Sequence, residues 1–226
     1  MIRNQKSFLK SELTSVSENE TKKGPEGKNV FSLRSEGEME PRLKTLYNAK
    51  IRQELQKELK LDNINQVPRL EKIIVSSGVG KKRDDKRFVE TVELTLKKIT
   101  GQNATGRLVK KSIATFKVRK GLGAPVGYLV TLRNNQMYEF ADRLINIALP
   151  HVRDFHGLSR KSFDARGNFN FGLKEQTVFP EITFEDAPVL HGLEITFVIK
   201  NGSQSSSLKL LEKFGIPFER EAKGDQ

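Results

Sequence analysis

The stretch LEKIIVSSGVG, residues 70–80, decides the fold. Ile73, Ile74 and Val75 are consecutive β-branched residues running into a loop punctuated by Gly78 and Gly80, which is how a buried strand ends. On its N-terminal side, Leu43, Leu46, Tyr47, Ile51, Leu55 and Leu59 recur at helical spacing and predict an amphipathic helix of about 17 residues after Pro41. On its C-terminal side, Phe88, Val92, Leu96 and Ile99 predict a helix over 86–99 that stops at Gly101. Further along, SIATFKVRK (112–120) and VGYLVTLRN (126–134) predict two strands joined through Gly121–Pro125 as a basic hairpin. Met137, Phe140, Ala141, Leu144, Ile145 and Ala148 predict a helix over about 136–149, ended by Pro150. GLEITFVIK (192–200) predicts a strand, and SQSSSLKLLEKFG a Ser-capped helix stopped at Gly215 and Pro217. This order predicts an α+β domain: an antiparallel β-sheet with helices packed on one face and the other face left free.

Charge says what that free face meets. From residue 94 to residue 138 there are 45 positions without one Asp or Glu, carrying Lys97, Lys98, Arg107, Lys110, Lys111, Lys117, Arg119, Lys120 and Arg133. Each phosphate neutralised by such a strip releases condensed counterions, and an internal carboxylate would cancel a neighbouring cation. Residues 1–40 hold seven basic and seven acidic side chains, so the whole net charge of +12 resides on 41–226. Residues 1–40, rich in Ser, Glu, Lys, Gly and Asn, bury too little to offset ordering entropy and are expected to form a disordered extension. Residues 41–220 are expected to form a single domain and 221–226 a short flexible tail.

Composition excludes several classes. There is no cysteine, hence no disulfide framework, thiolate metal site or cysteine nucleophile. Apolar runs fall far short of the roughly 20 residues of a membrane span, so no membrane partner is expected. The basic, acid-free opening MIRNQKSFLK is similar to an organellar transit segment, but Glu12, Glu18, Glu20 and Glu26 break that pattern.

The chemical motifs are weak. GVGKK (78–82) has Val75 where a phosphate loop needs its first Gly and Lys82 where it needs Ser or Thr, so it reads as a strand-end turn with exposed cations. GLGAPVG lacks dinucleotide-fingerprint spacing and lies between strands. His151, His156 and His191 form no i, i+4 pair, and no metal or cofactor is expected. Asp154, Asp164, Glu175 and Glu181 read as partners in loop-ordering salt bridges rather than as an acid–base pair. Phe116, inside KKSIATFKVRK, is placed to stack on a base or anchor the loop. Three readings stay open on the residues alone: a structural RNA-binding protein, an RNA-processing enzyme on the same basic platform, and a DNA-architectural or non-specific nucleic-acid-binding protein.

QVPRLEKIIVSSGVG (66–80), ITGQ (99–102), KKSIATFKVRKG (110–121), VTLR (130–133) and RDFHGLSRKSFDARGNFNFGLKEQTVFPEI (153–182), in this order, resemble the large-subunit ribosomal protein family numbered five, in its bacterial and organellar branch. The resemblance spans about residues 42–220. It implies a non-enzymatic constituent of the large ribosomal subunit, on a cytoplasmic or an organellar ribosome, with a concave sheet face on 5S rRNA in the central protuberance. It maps 5S contacts onto Ser76, Gln102, Thr131 and Arg133. It maps a projecting basic loop that reaches the peptidyl-site tRNA onto Lys110, Lys111, Ser112, Lys117, Arg119 and Lys120. The partners it implies also include large-subunit rRNA, neighbouring 5S-associated ribosomal proteins, and a small-subunit head protein met across an intersubunit bridge through part of 135–185. The sequence departs from the family pattern at Ser76 (usually Asn), Leu129 (often Lys) and Ala165 (usually Gly), and LGAP lengthens the hairpin turn by two residues.

Overall fold

The computed structural model describes residues 40–219 apart from 81, 83–84, 116–118, 121–124, 184 and 186–187. The expected N-terminal extension, Glu40 aside, and the expected C-terminal tail lie outside the described residues, as do Phe116 and Lys117.

The described chain opens with one long helix, α1, α-helical over Arg42–Leu46, π-helical over Tyr47–Ile51 and α-helical again over Arg52–Glu58. Leu43, Tyr47, Ile51 and Leu55 form its buried stripe, and the Tyr47 hydroxyl donates to the Pro68 carbonyl at 3.0 Å, fixing the helix to the entry of the first strand. That strand, β1, is Arg69–Gly78. Helix α2, Lys86–Thr100, starts at Asp85, whose carboxylate accepts from the amides of Arg87 and Phe88, and stops at Gly101, whose φ of +70° suits a residue without a Cβ. Short β2, Thr105–Arg107, precedes β3, Gly127–Leu132. Helix α3 is Asn134–Arg143, continuing through a π-helical segment, Leu144–Ala148, and a 3-10 turn, Leu149–His151, that takes in Pro150. Strands β4, Phe169–Leu173, and β5, Leu193–Lys200, follow. The last helix, α4, is Gln204–Phe214, with a reciprocal cap between Ser203 and Ser206 and Gly215 at φ +92° as its stop.

The sheet is antiparallel throughout, in the order β2-β3-β1-β5-β4. Its covered face carries Ile73, Val75, Tyr128, Val130, Leu132, Ile195, Phe197, Phe169 and Phe171, all buried with the apolar stripes of the helices in one core. The expected α+β architecture is the one observed, with two differences. FNFGL, read as loop, is an edge strand: Phe169, Phe171 and Leu173 point into the core while Asn170 and Gly172 point out. The described residues of the expected strand over 112–120, which are 112–115 and 119–120, are not partners of β3, beside whose Gly127–Leu129 lies Thr105–Arg107. With that place filled, these residues lie outside the sheet, and Ile113, 44 % exposed, finds no core to face.

Candidate nucleic-acid interface

The two consecutive serines of β1 show how strand alternation builds this face. The Ser77 hydroxyl points to the helix side and donates to the Gly192 carbonyl at 2.8 Å, whereas Ser76 points to the helix-free side. Register then fixes two rows on that side. One reads Thr105, Leu129, Ser76, Glu194, Gly172 across all five strands; the next reads Thr131, Ile74, Thr196, Asn170 across four. Side chains in these rows are half-buried or exposed.

A hydrogen-bonded chain runs across the right half of the two rows. Ser76 Oγ donates to Glu194 Oε2 at 3.4 Å, Asn170 Nδ2 donates to Glu194 Oε1 at 2.7 Å, and Thr196 Oγ1 donates to Asn170 Oδ1 at 3.0 Å. Expectation from sequence placed Ser76 here and missed Glu194, Asn170 and Thr196. The signal was present in LEITFVIK, whose alternation assigns Glu194 and Thr196 to one side.

The other half of the interface turns the sheet edge into the helices. Thr131 sits diagonally from Ser76 on β3, two residues beyond Leu129, the partner of Ser76. Extended backbone at Arg133 (φ −138°, ψ 165°) continues the alternation past the end of β3, and its side chain is exposed. Gln102, just beyond the α2 stop, donates from Nε2 to Oε1 of Gln136 in the first turn of α3. The structure thus gathers Ser76, Thr131 and Arg133 on one side of the sheet, with Gln102 joined to the helix that Arg133 starts.

The basic residues form a second, separate region. Arg107 pairs with Gly127, its carbonyl accepts from Val126 N at 2.8 Å, and the Val126 carbonyl accepts from Val79 N at 2.9 Å, so the base of the loop is bonded to the end of β1. Beyond that base, Lys110, Lys111, Ser112, Arg119 and Lys120 are all exposed, and the Ser112 hydroxyl accepts the Lys120 amide at 2.9 Å, closing a loop within the loop. Among the described residues no carboxylate pairs with any of these four cations. Lys117 lies outside the described residues.

Of the carboxylates and histidines weighed for catalysis, Asp164, Glu181, His151 and His191 are otherwise engaged. Asp164 accepts from the amides of Arg166 (2.9 Å) and Asn168 (2.7 Å) and from the Asn168 side chain (2.8 Å), while Asn168 Oδ1 accepts from Ile199 N at 3.2 Å. The DARGN turn is therefore held by amide donors rather than by a salt bridge, while Glu181 does pair with Arg143, as expected for a loop-ordering ion pair. His191 is buried edge-on against Phe88, and burial pushes its imidazole below the ordinary 6.5. His151 Nδ1 bonds the Ile147 carbonyl at 2.5 Å. Among the described residues no three His, Asp or Glu side chains are grouped to hold a metal, and no helix is long and apolar enough to cross a membrane.

Comparison with known proteins decides between the readings left open. Residues 63–119 match the family model described as Ribosomal protein L5, and residues 125–218 match the model for the C-terminus of the same ribosomal family. The chain is 47 % identical over 180 residues to Large ribosomal subunit protein uL5 of Synechococcus sp. (strain JA-2-3B'a(2-13)), covering 80 % of this chain and 99 % of that one. The chain belongs to the uL5 family. Large ribosomal subunit protein uL5 of Wolinella succinogenes is 46 % identical, covering 78 % of this chain and 95 % of its own. Large ribosomal subunit protein uL5c of Gracilaria tenuistipitata var. liui is 46 % identical over 80 % of this chain and 99 % of its own. As a uL5 protein the chain is a structural component of the large ribosomal subunit, works in translation alongside rRNA, and is not an enzyme.

Proposed function

We propose that this uL5 chain carries two RNA contacts of different chemistry within the large subunit. The helix-free sheet face, through Ser76, Gln102, Thr131 and Arg133, binds 5S rRNA in the central protuberance. The basic loop, through Lys110, Lys111, Ser112, Lys117, Arg119 and Lys120, reaches the peptidyl-site tRNA. Part of 135–185 meets a small-subunit head protein across an intersubunit bridge, and the remaining surface meets large-subunit rRNA and neighbouring 5S-associated proteins. Residues 41–220 serve as the RNA-binding domain in this reading.

The observation that carries it is the helix-free polar face, where Ser76 and Thr131 lie in adjacent strands two residues apart in register. Short hydroxyl and amide side chains on a fixed sheet suit ribose hydroxyls and base edges, which is how structured RNA is read by shape. Exposed, unpaired cations on a loop suit a ligand that is held and then released, since phosphate contact carries no sequence information. The test is titration of the full chain against 5S rRNA and an unrelated structured RNA of equal length at two salt concentrations. A 5S preference that survives added salt supports the reading; equal, steeply salt-sensitive binding to both RNAs removes the sheet-face assignment.

A further inference from the structure

Glu194 is out of keeping with its surroundings. In the two outward rows of the sheet it is the one ionised side chain among the described residues, it is exposed, and no described Lys or Arg pairs with it. A lone carboxylate on a face that binds RNA repels phosphate and weakens attraction from the protein's net charge of +12. It is nonetheless held in place from two sides: Asn170 Nδ2 bonds Oε1 at 2.7 Å and Ser76 Oγ bonds Oε2 at 3.4 Å. Asn170 is itself oriented by Thr196 Oγ1, which donates to its amide oxygen at 3.0 Å. The three residues that fix the carboxylate come from three neighbouring strands, so its position is as rigid as the sheet. Each carboxylate oxygen offers about two acceptor sites, one of which is used by the protein. What is left is one acceptor site on each oxygen of an exposed carboxylate.

We propose that Glu194 determines specificity for the bound RNA by accepting the adjacent N1–H and N2–H donors of an unpaired guanine. Guanine is the one natural base that presents two neighbouring donors on its Watson–Crick edge, matching the two oxygens of a carboxylate, and unpaired RNA bases are commonly read on that edge. The inference rests on the proposed placement of RNA on the sheet face. The repulsion becomes useful here: the carboxylate disfavours a phosphate at this point and favours a donor edge, rejecting the wrong ligand as well as holding the right one.

The test compares the full chain with Glu194→Gln and Glu194→Asp, each checked for an unchanged melting temperature, by titration against 5S rRNA and an unrelated structured RNA, with kethoxal footprinting of guanine Watson–Crick edges on the 5S complex. Glu194→Gln replaces one acceptor by a donor while removing a negative charge, so simple electrostatics and the proposal predict opposite signs. The proposal expects 5S binding to weaken about tenfold or more, binding to the unrelated RNA to stay equal or tighten, and one protected guanine to become reactive. Glu194→Asp, which keeps both oxygens but withdraws them by a methylene, loses less. Equal or tighter 5S binding by Glu194→Gln overturns the proposal, as does weaker binding with no guanine losing protection, which would assign the carboxylate to a ribose hydroxyl or to the sheet alone. Absence of a 5S preference in the unaltered chain would instead refute the underlying placement of RNA on this face.

Discussion

The helix-free sheet face and the loop between β2 and β3 are joined at Arg107–Gly127, yet they are built on opposite terms. In the two outward rows of the sheet, side chains are short and uncharged apart from Glu194, and Ser76, Glu194, Asn170 and Thr196 are bonded to one another across strands. In the loop they are long, cationic and exposed, with the Ser112–Lys120 bond as internal bracing. A rigid polar surface discriminates between ligands because misfit leaves donors and acceptors unpaired, whereas exposed cations attract any polyanion and are screened by salt. In the proposed function, one chain thus separates recognition from attraction by placing them on different structural supports.

The largest expected effect breaks the sheet and spares the loop. Phe197 is fully buried behind the outward rows and stacks on Phe171, so Phe197→Ala should cost about 3–5 kcal/mol in denaturant unfolding. It should abolish 5S preference while the salt-sensitive binding of unrelated RNA persists in what remains folded. Next, Lys110→Ala combined with Lys111→Ala and Lys120→Ala should lower the slope of log affinity against log salt by about 2, measured by titration on any structured RNA, with 5S preference retained. Third, Thr131→Ala should weaken 5S binding by roughly 1 kcal/mol without altering that slope; an unchanged affinity would take Thr131 out of the face.

The smallest effect is one of pH and concerns the core behind the face. Burial holds the His191 imidazole below its ordinary 6.5, against a partial opposing effect of the Val189 carbonyl. The unfolded chain therefore binds a proton that the folded chain resists, and stability falls as pH drops below 6.5 while staying level above it. Thermal melts across that window should show this slope, and His191→Phe, packed on Phe88, should flatten it.

How far the sequence carried this account differs between the same two regions. The strand at 70–80 was legible because three β-branched residues end at glycines, and the helix stops at Gly101 and Gly215 because only the left-handed backbone fits there. Ser76 was singled out by the family resemblance, and strand alternation is what turns it outward. FNFGL kept its period-2 signal but was hidden by the Asn, Gly and Arg residues around it, which resemble turn punctuation. The pairing of β3 was not legible, since TGR is too short to carry a pattern, while SIATFKVRK has the stronger strand propensity although Thr105–Arg107 takes the place beside Gly127–Leu129. The polar network of the face depends on register between residues as distant as Ser76 and Glu194, which no local pattern encodes.

The separation of recognition from attraction is tested most directly by measuring 5S preference and salt slope together for the full chain, for a face variant carrying Ser76→Ala and Thr131→Ala, and for the three-lysine loop variant. The face variant should lose preference and keep its slope, and the loop variant should lose slope and keep its preference. Parallel losses of both quantities in both variants would contradict the account, because they would mean that face and loop bind RNA as one surface.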